Sequence, residues 1–282
     1  MYCRPRTLDE AVHALSASGG QILSGGTDFF PAIVDRAAPS DVVDISRVQE
    51  IRGIAFERDF IRIGGATSWS EVIAAALPRC FDGLKSAARE VGSIQIQNRG
   101  TVAGNICNAS PAADGVPPLL ALDAEVELVS AEGARRIPIA DFILGNRKTA
   151  RRPDEILANI FIARRLADAS SAFLKLGARR YLVISITMVA AVIETNAAGI
   201  VEDARIAVGS CSAKAQRLSE LEQVLIGLPA GRSLREIVSP RHLASLAPID
   251  DVRATSAYRL DASLTLIRRT LDLCAGIPSG NA

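Results

Sequence analysis

Apolar residues along this chain switch repeatedly between two periods, every second position and every third or fourth, so strands and helices alternate from one end to the other. Thr7-Leu8-Asp9-Glu10 puts a hydroxyl at a helix N-cap and a carboxylate three residues on, the capping-box pattern. It predicts a helix through Leu15 that Gly19-Gly20 ends. "QILSGG" reads as a short buried strand entering a glycine turn, "TDFFPAIVDR" as the element that follows, and "DVVDIS" as another strand. "FIRIGGATSWSEVIAAAL" repeats the scheme with an alternating strand, a glycine pair, a hydroxyl cap and a helix bearing Glu71. The first third of the chain thus carries a weak internal echo.

A helix is predicted near Asp82 to Val91, and after it the periodicity lapses. Residues 92–114, "GSIQIQNRGTVAGNICNASPAAD", read as a long polar loop. "AEVELVS" and "ARRIPIADF" follow as strands, and "DEILANIFIAR" as a short helix or turn leading into a strand. The small polar run "ADASS" marks a domain boundary, giving 1–166 and 167–282. Beyond it, strands "YLVISITMVAAVIE" and "VEDARIAVGS" meet in a hairpin at Gly199, and "LSELEQVLIGL" and "AYRLDASLTLIRRTLDLC" read as helices, the mark of an α+β domain before the short tail "GIPSGNA".

Length supports the same division, since 282 residues exceed the usual single domain. Lys and Arg number 32 against 31 Asp and Glu, a net charge of +1 that exerts no global pull toward nucleic acid or an anionic membrane. The pairs Arg151-Arg152 and Arg164-Arg165 are solvated faces or the rim of a partner interface. The longest apolar segment, Tyr181 to Ile193, contains Ser185 and Thr187 and is too short to span a bilayer. Five scattered cysteines form no C-x-x-C, so a cysteine-ligated zinc or iron–sulfur centre lacks a local scaffold. With an odd cysteine count and no apolar leader at the start, the expectation is a cytoplasmic protein with reduced thiols.

Hydrolytic equipment is thin. His13 and His242 are the only histidines, both expected at surface or partly buried polar positions, and no H-E-x-x-H, Walker loop, G-x-S-x-G or G-x-G-x-x-G occurs. Chemistry here would have to come from a cofactor.

Two segments look built to hold one. In "LSGGTD", Leu23 to Asp28, glycines after a strand let successive N–H groups converge on an anion, with Thr27 adding a donor; an ordinary strand–helix turn gives the same pattern. Asp28 would repel phosphate and is expected to cap the following helix or accept from a sugar hydroxyl. In residues 92–114, Gly100 and Gly104 permit close approach or positive φ, while Thr101, Asn105, Asn108 and Ser110 offer polar contacts to phosphate or ribitol oxygens. Pro111 stiffens the exit, and Asp114 can accept from ligand hydroxyls. Two glycine nests without a Walker lysine fit a diphosphate held by backbone amides.

The pairing of "SGGTDFFP" with "GSIQIQNRGTVAGNICNASPAADGVPPLLALDAEVEL" closely resembles the FAD-binding medium subunit of the molybdenum hydroxylases, the xanthine dehydrogenase and carbon monoxide dehydrogenase type. The resemblance continues through "GATSWSEV", "GNRKTARRPDEIL" and "FLKLGARRYLVIS". It implies an FAD-binding domain of vanillyl-alcohol-oxidase (PCMH) type made of two subdomains, about 1–56 and 57–166, followed by a C-terminal α+β domain. By similarity Leu23, Ser24, Gly25, Gly26, Thr27 and Asp28 would line the first FAD loop, and Thr101, Gly104, Asn105, Ser110 and Asp114 the second. Ile156 or Leu157 would sit near the isoalloxazine, with Lys175 at the flavin's open edge and Tyr181 approaching it. Val91 stands where xanthine enzymes carry a flavin-stacking Phe. Ala103 and Gly115 stand where the family commonly has Gly and Leu, and Ala103 is expected to tighten the pyrophosphate nest.

Neither histidine lies near the two FAD segments, so FAD is expected to be non-covalent, and Cys107 to be a small packing residue. The resemblance further implies partner subunits that carry molybdopterin and two 2Fe-2S clusters. Electrons would reach this chain's FAD and pass to NAD, oxygen or another acceptor, in an assembly that is habitually a dimer of heterotrimers. No residue is assigned a catalytic acid–base role. Two alternatives stand beside this reading: a self-sufficient flavin-dependent reductase of the same fold, and a scaffold that has lost its cofactor.

Overall fold

Thr7 caps the first helix as its spacing predicts: its Oγ1 accepts from Glu10 N at 3.2 Å, and Glu10 Oε2 accepts from Thr7 N at 3.4 Å. The computed structural model describes residues 1–35, 37–231 and 233–277, with the side chains of Arg165 and Ser233 also outside the description. Helix α1 (Leu8–Ser18) runs one turn past Leu15 and stops at Gly19, whose φ of 60° is the left-handed conformation that suits glycine. It buries Ala11, Val12 and Leu15 near a parallel sheet of β1 (Tyr2–Cys3), β2 (Gln21–Leu23) and β3 (Val42–Asp44), ordered β1-β3-β2. The element expected after Asp28 is only a 3-10 turn, Pro31–Ile33, so Asp28 caps no helix. Pro31 at the start of that turn is compatible with a longer helix, but the described residues form none.

The second layer is an antiparallel sheet. Its strands are β4 (Ile54–Phe56), β5 (Phe60–Gly64), β6 (Glu125–Ser130), β7 (Gly133–Pro138) and, after the small hairpin β8 (Ile143–Gly145) and β9 (Lys148–Thr149), β10 (Ile156–Ala163). Their order is β4-β5-β10-β6-β7. Because β4 pairs with β5, the change of sheet lies at Gly53, slightly before the expected residue 56. Between β5 and β6 run α2 (Trp69–Ala74), α3 (Asp82–Glu90), α4 (Ile94–Arg99), α5 (Val102–Asn108) and α6 (Val116–Ala121); α7 (Ile139–Phe142) follows β7. Ser68 and Glu71 cap α2 reciprocally, so the second strand–glycine–cap–helix unit forms as read.

Residues 92–114 are not the long loop the sequence suggests. Ser93 caps α4 and Thr101 caps α5, each hydroxyl accepting the N–H three residues on. The small polar residues that broke the apolar period are therefore helix caps and turns. One other reading changes as well: "ARRIPIADF" is a strand only to Pro138 before it turns into α7. "DEILANIFIAR" forms as read, a turn at 153–154 leading into β10.

The C-terminal sheet, β11 (Ser170–Leu176), β12 (Thr187–Thr195), β13 (Val201–Gly209) and β14 (Gln216–Arg217), is antiparallel in that order. Gly199, at φ 72°, sits in the turn of the predicted β12–β13 hairpin. Helices α8 (Ser219–Leu225), α9 (Ser233–Ile237) and α10 (Ser256–Cys274) complete this part. Strand β12 is buried on both faces, which explains its unbroken apolar sequence. Met188, Ala190 and Val192 join the core that contains Leu84 and Leu119, whereas Val189, Ala191 and Ile193 join Leu266, Ile267 and Leu271 of α10. The strand begins only at Thr187, so Tyr181–Ser185 is a connecting segment rather than part of it. His242 is buried, a correction to its expected exposure; its Nδ1 accepts from Ser239 N, and burial together with Arg241 holds its pKa below the ordinary histidine value. The last five residues of the expected C-terminal domain, 278–282, lie outside the described residues.

Candidate flavin site

The two glycine segments interlock. Leu23 is the last residue of β2, buried opposite Asp44, and the chain then turns so that Ser24 Oγ lies 3.1 Å from Thr101 Oγ1. Gly25 presses against the end of α4: a Cβ there would stand 2.0 Å from Arg99 O. Gly26 has φ 78°, and a Cβ on it would meet the Phe30 ring at 2.7 Å. Thr27 Oγ1 faces Gly100, where a Cβ would come within 3.4 Å. Gly25 is closed to larger residues by backbone contact, and Gly26 by its positive φ and the Phe30 ring.

Among the described residues, the N–H groups of residues 25–29 donate to no protein acceptor. Five successive donors along a turn form a nest for an anion, and a diphosphate would satisfy them. Beside them opens a cleft of about 380 Å³ whose lining includes Tyr2, Gly25, Gly26, Phe30, Asp44 and Arg99. Free amides, a nearby cation and apolar rings suit a nucleoside diphosphate group. This part of the chain fits FAD.

Thr101 is buried as the cap of α5, its Oγ1 accepting Gly104 N at 3.1 Å. A Cβ on Gly104 would meet nothing but that oxygen, at 2.9 Å. Asn105 Oδ1 is buried without a partner among the described residues, a cost that a ligand donor would relieve. Ser110 instead closes its own turn, Oγ accepting from Ala112 N at 3.2 Å. Asn108 accepts from Arg147 at the tip of the β8–β9 hairpin. Ala103 faces inward against Gly65, donating its N–H to Gly65 O at 3.1 Å, so it tightens that packing and not the nest. Gly115 has its own reason: a Cβ there would lie 2.4 Å from the Trp69 ring.

Asp114 and Lys175 come together from opposite parts of the chain. Lys175 Nζ donates to Asp114 Oδ2 at 2.8 Å and to Glu90 O at 3.3 Å, with the two side chains 5% and 10% exposed. Ser185 Oγ donates to the other carboxylate oxygen, Oδ1, at 2.9 Å. Burial pushes the Asp114 carboxyl above its ordinary value, and the ammonium and hydroxyl offset only part of that. Ser185 and the Glu90 carbonyl were missed from sequence, although a lone hydroxyl inside "YLVISI" was a readable signal.

The residues expected near the isoalloxazine are mostly buried in the core. Ile156 is buried in the cluster around α1 and Leu157 in the main core, so neither side chain opens toward solvent. A bulge between Leu157 and Asn159 brings the Leu157 carbonyl close to Gly65, where a Cβ would lie 2.4 Å away. Val91 ends α3 and packs against the main core. Tyr181 is 61% exposed with the Arg180 guanidinium 5.3 Å from its ring centre. Cys107 packs half-buried against the core, and burial raises its thiol pKa to about 11. No group of three metal-ligating side chains, and no helix long and apolar enough to cross a membrane, occurs among the described residues.

Comparison with known proteins places this geometry. Residues 1–164 match the FAD binding domain in molybdopterin dehydrogenase, and residues 172–273 the CO dehydrogenase flavoprotein C-terminal domain. The nicotinate dehydrogenase FAD-subunit of Eubacterium barkeri is 33% identical over 85% of this chain and 83% of its own length. The xanthine dehydrogenase FAD-binding subunit of Escherichia coli O157:H7 is 30% identical over 99% and 97%. Among solved structures, the carbon monoxide dehydrogenase of Hydrogenophaga pseudoflava matches with a TM-score of 0.87 at 27% identity, covering 98% of this chain and 96% of that one. An α+β chain whose paired glycine segments fit FAD, and whose relatives are flavoprotein subunits, belongs to the family of FAD-binding medium subunits of the molybdenum hydroxylases.

Proposed function

We propose that this chain is the electron-transfer flavoprotein of a three-part hydroxylase of xanthine dehydrogenase type. A small partner subunit would carry the 2Fe-2S clusters that feed it, a large one the molybdopterin, and NAD or another acceptor would receive the electrons. The observation that carries the reading is the row of amides 25–29, without a protein acceptor among the described residues, locked to the cap of α5 by the Ser24–Thr101 contact. FAD, when bound, supplies the redox centre, able to exchange electrons singly or in pairs.

The chain's own residues bind and position. The amides of 25–29 would hold the diphosphate, and Asn105 Oδ1, lacking a partner among the described residues, would accept from a ligand hydroxyl. Thr101 holds the first turn of α5 in place. Asp114 and Ser185 fix the Lys175 ammonium in a buried position, where a fixed positive charge acts through little solvent. Because the carboxylate of Asp114 balances that charge, the pair would act on a nearby flavin as an oriented dipole and not as a free cation. Ile156 and Leu157 would act through backbone and core packing, not by direct side-chain contact.

The domain division at residues 166 and 167 belongs to this proposal, supported by the two family matches on either side of it and by the separate C-terminal sheet. So do a cytoplasmic location and assembly as a dimer of heterotrimers. The self-sufficient reductase gains no support from relatives named as subunits and chains.

Anaerobic addition of NADH to the FAD-loaded complex tests the acceptor. Bleaching of the flavin absorption, together with iron and molybdenum in the complex that co-purifies with the tagged chain, is the expected result. A chain that purifies alone and turns over a substrate unaided would overturn the reading.

A further inference from the structure

Arg259 lies near the start of α10, in the C-terminal part of the chain, and its guanidinium holds two strand ends that themselves contact residues 110–114. The residue is 3% exposed. Its Nη1 donates to Ile186 O at 2.5 Å and to Ser210 O at 3.2 Å, and its Nη2 to Asp251 Oδ1 at 2.7 Å; Nε has no partner among the described residues. The two carbonyls belong to the entrance of β12 and the exit of β13. Each sits next to a contact with residues 110–114. Ser185, just before Ile186, donates to Asp114, and Ser210 donates its own N–H to Pro111 O at 2.9 Å. Ser210 holds φ 63°, a strained conformation for a residue with a side chain, so something must fix it.

One guanidinium therefore ties together both strand ends that grip the 110–114 segment. Both carbonyls are served by Nη1 while Nη2 of the same planar fork is held by Asp251, an anchored geometry that a single lysine ammonium does not reproduce. Asp251 fixes the far edge of that fork: it accepts from Arg253 N at 2.8 Å and from Ala254 N at 3.3 Å, and the Arg253 side chain also pairs with it.

We propose that Arg259 is a positioning residue for the flavin site, setting the depth at which Asp114 meets Lys175 by clamping Ile186 and Ser210 from behind. The inference rests on the reading that Asp114 and Lys175 stand beside the flavin. It gives the C-terminal domain a direct part in tuning a cofactor held by the other domain.

The test uses the full chain loaded with FAD and measures flavin midpoint potential and FAD affinity, with circular dichroism reporting the fold. In Arg259→Gln, FAD is expected to bind about tenfold more weakly, the size expected for loss of a charged hydrogen bond, with the potential displaced. Arg259→Lys should recover part of both. If Arg259→Gln fails to fold, Asp251→Asn, at a partly exposed site, carries the test by loosening the fork and should shift both readings in the same direction. A folded Arg259 variant, or Asp251→Asn, with unchanged potential and affinity overturns the proposal, provided the paired change Asp114→Leu with Lys175→Met does shift the potential. If that pair also leaves the potential unmoved, the placement of Asp114 and Lys175 is what fails.

Discussion

Asp114 and Lys175 reward attention at the scale of single residues, because burial changes what a substitution there can report. From the sequence alone, Asp114→Ala should weaken FAD retention and leave the fold intact. The structure alters that expectation, since the Lys175 ammonium would remain buried without its carboxylate. Breaking one side of such a pair costs about 3–5 kcal/mol. Asp114→Ala is therefore expected to lower the melting temperature as well as FAD occupancy. Combining Asp114→Leu with Lys175→Met should restore much of the stability, because two apolar side chains leave no stranded charge, while FAD binding stays impaired. Thermal unfolding of the two variants beside flavin release would check this; equal stability of the single and double variants would contradict it. The raised pKa of Asp114 has a definite sign. A carboxyl harder to ionise folded than unfolded makes the folded state lose stability as pH rises from the ordinary carboxylate value to the folded one.

At the scale of elements, Trp69 and Gly115 form a lock between α2 and the start of α6. Trp69 is 1% exposed, and its ring occupies the space a side chain on residue 115 would need. Gly115→Ala should overpack the site and cost about 1–3 kcal/mol. Trp69→Phe in the same chain should recover part of that loss, a coupling that a double-mutant cycle in denaturant reads directly. Strict additivity of the two changes would show that the ring does not fill that space.

The same elements explain what could be read from sequence. Caps at Thr7 and Ser68, the strands before Gly25 and Gly64, and the long helix α10 were legible because hydroxyl caps and apolar periods are local signals. The glycine segments announced a cofactor for the same reason. Residues 92–114 read as a loop because α4 and α5 are short, with six and seven residues, and too few turns separate their apolar positions for a period to show. Nothing local could reveal Arg259. Its two carbonyl partners lie 49 and 73 residues away, and their contact depends on how β12 begins and β13 ends.

For the molecule as a whole, the two parts of the chain are joined by more than a linker. The inner face of β12 completes the core that contains α3 and α6, so the C-terminal sheet helps to bury the flavin-side helices. Asp123, which follows α6, accepts from two arginines of the C-terminal sheet, Arg205 at 2.6 Å and Arg217 at 2.7 Å. Arg205 is itself 1% exposed, with Glu194 and Asp203 as further partners. These contacts hold α6, and with it the exit of the 110–114 segment, against the second sheet. Flavin retention should accordingly depend on both parts of the chain.

FAD binding by this chain is tested most directly by the visible absorption spectrum of the purified protein, followed by denaturation and chromatography of whatever is released. It predicts flavin bands, released FAD in place of FMN, and no pigment left covalently attached. A chain that purifies colourless and takes up no added FAD, even in the presence of its partner subunits, would contradict it.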